Sequence, residues 1–158
     1  MTRRFATSIA VVGLAVLAGC GSGLHPATQS EKGSSQGASA NQGTVQIRDA
    51  QVLADDQMEG VIEMTLINTG SDADSLTSIT TTASDSTMIS DSASKQLTEV
   101  ALPSNQSVSF GTSGTTIDLG NLTANLQPGT FVGVTLNFKL AGTITVQMPV
   151  ETAPSPAS

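Results

Sequence analysis

The chain has 158 residues, with six basic side chains against thirteen acidic ones, and neither tryptophan nor tyrosine. That acidity excludes adsorption to nucleic acid or anionic headgroups through a basic patch. With four phenylalanines as its only aromatics, the chain also lacks the stacking faces that single-strand binders need.

The N-terminus carries Arg3 and Arg4, an apolar run from Phe5 to Leu17, and then Leu17-Ala18-Gly19-Cys20. About thirteen apolar or small residues suit the h-region of a cleaved signal, whereas a membrane span needs about 20. The closing tetrapeptide resembles the lipobox of bacterial lipoproteins, where the thiol receives a diacylglyceryl group and the chain is cut just before it. Residues 1–19 are therefore expected to be a lipoprotein signal peptide, and Cys20, the sole cysteine, the lipidation site. Export would leave four cations against thirteen acids, a net charge of −9. Membrane attachment then comes through lipid rather than charge, and the expected location is the outer face of a cell membrane.

Residues 20–43 are rich in Gly, Ser, Gln and Ala. A segment with so little to bury cannot offset its ordering entropy, and a flexible lipidated linker is expected, with a mean reach on the order of 25 Å. Residues 151–158, with Pro154 and Pro156, read as a disordered tail. One domain, residues 44–150, lies between.

Within it the apolar period is two. Val45 and Ile47 alternate with Gln46 and Arg48, and Ile62, Met64 and Leu66 with Glu63 and Thr65. Asn68-Thr69-Gly70 supplies a turn. Weaker strands are expected at residues 75–82, 87–90, 96–102, 106–110 and 116–122. The clearest unit is the last hairpin, where Val132, Val134, Leu136 and Phe138 answer Ile144, Val146, Met148 and Val150 across a turn at Ala141-Gly142. Eight or nine short strands and no helical stripe predict an all-β, antiparallel β-sandwich.

Tests for chemistry return little. A nucleophile–base pair needs a fixed histidine, and the only one in the exported chain, His25, lies in the linker. The same shortage removes a Cys/His zinc site. Asp72-Ala73-Asp74 opens like a calcium loop, then fails at Leu76, Thr77 and Ala83. No Walker loop or dinucleotide glycine pattern is present. An enzyme is not expected. Met64 and Met148 fall on inward strand faces and read as core filling, while Met58 and Met88 lie nearer turns.

Short segments in a recognisable order carry a family resemblance. They are residues 64–70 (Met-Thr-Leu-Ile-Asn-Thr-Gly), 102–108, Gly114, 119–122, 126–129 (Leu-Gln-Pro-Gly), 134–138 and 141–146. Together they resemble the periplasmic copper chaperone family PCu(A)C over residues 47–150. The resemblance implies a Greek-key, cupredoxin-like sandwich, and a domain that carries Cu(I) with two histidines and two methionines. At the corresponding positions this sequence has Ser90, Leu97, Thr116 and Asp118. Two hydroxyls, an alkyl chain and a carboxylate are not soft ligands for Cu(I), so the expected metal site is none. The first expectation is a non-catalytic envelope lipoprotein that binds or assembles with another envelope protein. The alternative is a copper-handling protein using Met58, Met88 or acidic residues in another arrangement.

Overall fold

In the computed structural model, residues 31–34, 37–54 and 59–154 are described. Eleven strands are formed: β1 (Glu31–Ser34), β2 (Gly37–Gln42), β3 (Val45–Ala54), β4 (Gly60–Asn68), β5 (Asp74–Thr81), β6 (Ser84–Ser90), β7 (Val100–Leu102), β8 (Gln106–Phe110), β9 (Thr116–Leu122), β10 (Phe131–Phe138) and β11 (Gly142–Thr152). Among the described residues there is no helix, and no helix long and apolar enough to cross a membrane.

The hydrogen-bonded order is β6-β9-β4-β3-β11-β10-β5-β7, with β2 also on β3, β8 also on β4, and β1 on β2. Two layers arise because β11 is shared. Residues Gly142 to Pro149 pair antiparallel with β10, whereas Val150, Glu151 and Thr152 pair in parallel with Val52, Leu53 and Ala54 of β3. The connections β4–β5, β5–β6, β6–β7, β7–β8 and β9–β10 cross from one layer to the other, the Greek-key sandwich expected. The parallel β11–β3 pairing is the departure from an all-antiparallel arrangement. It arises because a strand that leaves one sheet joins the other in whatever direction it already runs.

Alternation in the sequence is alternation in burial. Along β4 every second residue from Gly60 to Asn68 is buried, and Ile47, Ile62, Leu66, Leu136, Ile144 and Met148 are among the largest fully enclosed side chains. Met64 and Met148 are core, as their strand faces predicted.

Two boundaries need correction. The linker expected to run to Gly43 instead contributes β2, which pairs with β3 from Ala38↔Ala50 to Gln42↔Val45. Ala38 and Ala40 are buried, so two small side chains suffice once a sheet edge is there to receive them. Gly37 makes the approach possible. Its φ is +85°, and a Cβ there would lie 2.6 Å from the carbonyl carbon of Asp49. Asp49 itself takes a positive φ of 52°, at the irregularity between Arg48 and Gln51 where β3 slips register against β4. At the other end, the tail expected from Glu151 begins later, because Glu151 and Thr152 complete β11 and the Ala153 amide donates to the Ala54 carbonyl at 2.8 Å. The signal peptide, Cys20, His25, Met58 and residues 155–158 lie outside the described residues.

Two buried polar side chains fasten one end of the sandwich. The Asn68 amide donates to the carbonyls of Asp72 (2.8 Å) and Leu102 (3.0 Å), and its oxygen accepts from the Gly70 amide at 2.9 Å. Asp74, only 5% exposed, accepts from the amides of Ser75 (2.7 Å), Leu140 (2.8 Å) and Ala141 (2.9 Å). It therefore locks the β10–β11 turn onto the start of β5. Burial pushes its carboxyl pKa up, but the backbone donors of Ala141, Leu140, Ser75 and Lys139 outweigh that and hold it below the ordinary 3.8.

A carboxyl whose pKa is depressed by folding stabilises fully above its unfolded value and loses that contribution as pH falls through the folded one. Asp74→Ala is accordingly expected to cost about 1–3 kcal/mol at neutral pH, read by chemical denaturation. Its deficit relative to the native chain should shrink below pH 3.8. For β2, Gly37→Ala is expected to detach the strand without unfolding the domain. Hydrogen exchange should then quicken across residues 38–42 while β4 and β10 keep their protection; unchanged exchange at 38–42 would refute the close approach.

Candidate functional site

Of the four positions that the copper-chaperone resemblance singles out, Ser90, Thr116 and Asp118 come together on one face of the β6–β9 edge, whereas Leu97 lies beside Ile89 and turns to the core. Strands β6 and β9 pair antiparallel from Ser84↔Leu122 to Ser90↔Thr116, which sets Met88 opposite Asp118. Threonine and isoleucine in both strands keep the backbone extended. The loop after β6 is a compact turn built on Asp91. Its carboxylate accepts from the amides of Ala93 (2.9 Å) and Lys95 (3.0 Å), and its carbonyl accepts from Ser94 at 2.8 Å. Ser94 takes a positive φ of 59° to close the turn. The chain thus returns at once, bridging Gln96 to Ser90, and the Leu97 amide donates to the Ile89 carbonyl at 2.8 Å. Leu97 packs against the core.

The side chains of Ser90, Thr116 and Asp118 are bonded to one another. The Ser90 and Thr116 hydroxyls are 2.8 Å apart, and the Thr116 hydroxyl donates to Oδ2 of Asp118 at 3.3 Å. With the Thr116 proton committed to Asp118, Ser90 is the donor to Thr116. A single-file chain results, running from a serine that is 8% exposed to a carboxylate nearer solvent. Met88, 47% exposed, is the soft donor beside it among the described residues. Sequence spacing does not bring these groups together; the short Asp91 turn and the β6–β9 register do.

Two surface concavities lie elsewhere. One, of about 340 Å³, sits at the end of the sandwich between residues 42–44, residues 70–74 and the pair Leu140 and Ala141. The other, of about 270 Å³, lies over β3, β4 and β8 and includes Asp49, Glu63, Thr65 and Ser109. In the second, Glu63 accepts from the Gln51 amide at 3.0 Å. In the first, Asp74 is committed to backbone amides, so the calcium-like opening at Asp72-Ala73-Asp74 is a turn clamp. Among the described residues no group of three or more His, Cys, Asp or Glu side chains is gathered as for a metal ion.

The fold has solved counterparts. The copper-bound PCuAC domain of PmoF2 superposes with a TM-score of 0.67 at 20% identity, covering 73% of this chain and 98% of that one. The apo PCuAC domain of PmoF1 gives 0.68 at 18% identity, over 73% and 99%. The solution structure of Cu(I)-loaded DR1885 from Deinococcus radiodurans gives 0.59 at 22%, over 65% and 75%. Likeness at this level establishes a shared cupredoxin-like sandwich, as the sequence segments implied. No curated protein matches the chain in sequence. A family model does, across residues 45–150, the whole span from the first residue of β3 to the residue where β11 changes sheet. The chain belongs to the LpqE-like family.

Proposed function

We propose that this protein is an envelope lipoprotein whose copper-chaperone-like sandwich serves as a non-catalytic binding or assembly module. The observation that carries the reading is the Ser90–Thr116–Asp118 chain. These residues stand where the resemblance puts ligands for transported copper, and they are bonded to each other. Hydroxyl and carboxylate oxygens are hard donors, and Cu(I) prefers thioether, thiolate and imidazole. A metal arriving here would have to break two hydrogen bonds to reach weaker partners. The fit to Cu(I) is poor.

Anchoring is supported from two sides. Leu17-Ala18-Gly19-Cys20 follows a basic, apolar leader, and the LpqE-like family is described as one of lipoproteins. Placing the domain on the outer side of a cell membrane accords with both. A second reading, that copper is handled by a different set of groups, has one feature in its favour: the exposed thioether of Met88 faces Asp118 across the β6–β9 ladder.

Titration of the lipid-anchored chain in detergent with Cu(I), against a competing chelator, is expected to show no tight stoichiometric binding. Tight binding that Met88→Leu abolishes would instead establish the second reading. The combined variant Ser90→His, Thr116→His and Asp118→Met should gain Cu(I) binding, because the β6–β9 register already holds these three positions on one face. For the anchor, Cys20→Ser is expected to lose essentially all incorporation of a fatty-acid probe and all membrane-fraction signal; retained labelling would refute it.

A further inference from the structure

Strand β2 lies outside the span that the family model matches, which begins at Val45, the first residue of β3. It is laid along the edge of the family domain rather than woven into it, and its hold on that edge is slight. Its six residues bury two side chains, Ala38 and Ala40. Two methyl groups remove far less apolar surface from water than the ordering of six backbone units costs. Among the described residues no side chain of β2 adds a hydrogen bond or ion pair to its neighbours. Attachment therefore rests on the ladder to β3, whose register slips between Ala38 and Ala40, and ladder bonds at an edge are readily exchanged for bonds to water. Strand β4 differs in kind, with every second residue from Gly60 to Asn68 buried.

The chain is pinned immediately after β2. The Thr44 carbonyl accepts from both the amide and the hydroxyl of Thr69, at 2.8 Å and 2.9 Å. The Thr44 side chain also lies against Gly70, where an added Cβ would stand 3.0 Å from it. Gly43, one residue earlier, has a φ of +56° and open space on every side that a Cβ would meet. A fixed residue next to a glycine with free surroundings makes a hinge.

Release about that hinge leaves the closure of the sandwich untouched. The two layers are joined where Val150 to Thr152 pair with Val52 to Ala54. The irregularity between Arg48 and Gln51 separates this junction from the stretch of β3 that β2 covers. Strand β1 is bonded to β2 and goes with it.

We infer that β1 and β2 form a strap that turns on Gly43, leaving the β3 edge as one unit while β3 to β11 stay folded. The protein then has two native forms with one unchanged core, the Val45–Ala50 edge covered in one and bare in the other. Seated, the strap keeps that edge from pairing with another chain, a common protection for sheet edges.

The test is hydrogen exchange on the full chain in rising urea, below the unfolding transition. Amides of residues 38–42 are expected to exchange roughly a hundredfold faster than the slowest amides of β4 and β10, with little response to urea because little surface opens. The same rate and urea dependence in all three strands overturns the strap, since β2 would then open only with the whole fold. A rate that falls steadily from residue 38 to residue 42 marks fraying from the free end rather than release about Gly43, and also overturns it. A lock provides the second arm. Asn41 and Gln46 are partners across the hairpin, and Asn41→Cys with Gln46→Cys, in a Cys20→Ser background, leaves two thiols that have only each other. Oxidation is expected to slow exchange at 38–42 by about tenfold or more, reversed by reductant, with β4 and β10 unchanged. Unaltered exchange in the oxidised chain removes the hinge from Gly43 and the inference with it.

Discussion

The sandwich depends on β11 changing sheets. Along its first eight residues β11 completes a hairpin with β10, and in its last three it bonds in parallel to β3. That transfer closes two layers around one core, because the strand that ends one sheet is the neighbour of the strand that organises the other. Strand β3 is the matching hub. One edge carries β4 along its length; the other is divided between β2 and the end of β11. The slip at Asp49 lies beside this division. It tilts the two halves of β3 so that each meets a different partner, which is the usual effect of an extra residue in a ladder.

Buried polar groups then fix what hydrophobic packing leaves loose. Apolar alternation sets which face of each strand points inward, but it does not hold the turns in place. Asn68 and Asp74 do so through hydrogen bonds to backbone donors and acceptors, three each. The β6–β9 edge follows the same logic, with Asp91 closing a turn and Ser90, Thr116 and Asp118 saturating one another. In both places a carboxylate that sequence reading offers as a possible cation ligand is occupied by the fold. At this edge the side chains that meet are hydroxyl and carboxylate oxygens, which are hard donors.

The strands that were most legible in advance are those whose side chains alternate cleanly, β4 and the β10–β11 hairpin. Less legible were β2 and the start of β6. Ala38 and Ala40 carry too little apolar surface to mark a strand until β3 and β11 enclose them. Ser84 is buried with its hydroxyl beside the carbonyls of Ser86 and Gly120, either of which accepts its one proton, and accepting from the Ser86 amide. The four candidate site positions were legible as positions through family resemblance, but the contact among Ser90, Thr116 and Asp118 was not. It depends on a five-residue turn and a register in which Ser90 meets Thr116.

From the sequence alone came the export signal pattern, the scarcity of histidine and cysteine, the all-β class and the identity of the inward faces. Those are local properties, written in residue type and in a period of two. Tertiary structure decided the rest: that β11 joins two sheets, that part of the supposed linker is a strand, that Asp74 is a clamp, and that Ser90, Thr116 and Asp118 form one chain. Each of these depends on residues far apart in sequence sharing a few cubic ångströms, and spacing along a chain carries no record of which distant backbone will supply the missing hydrogen bond.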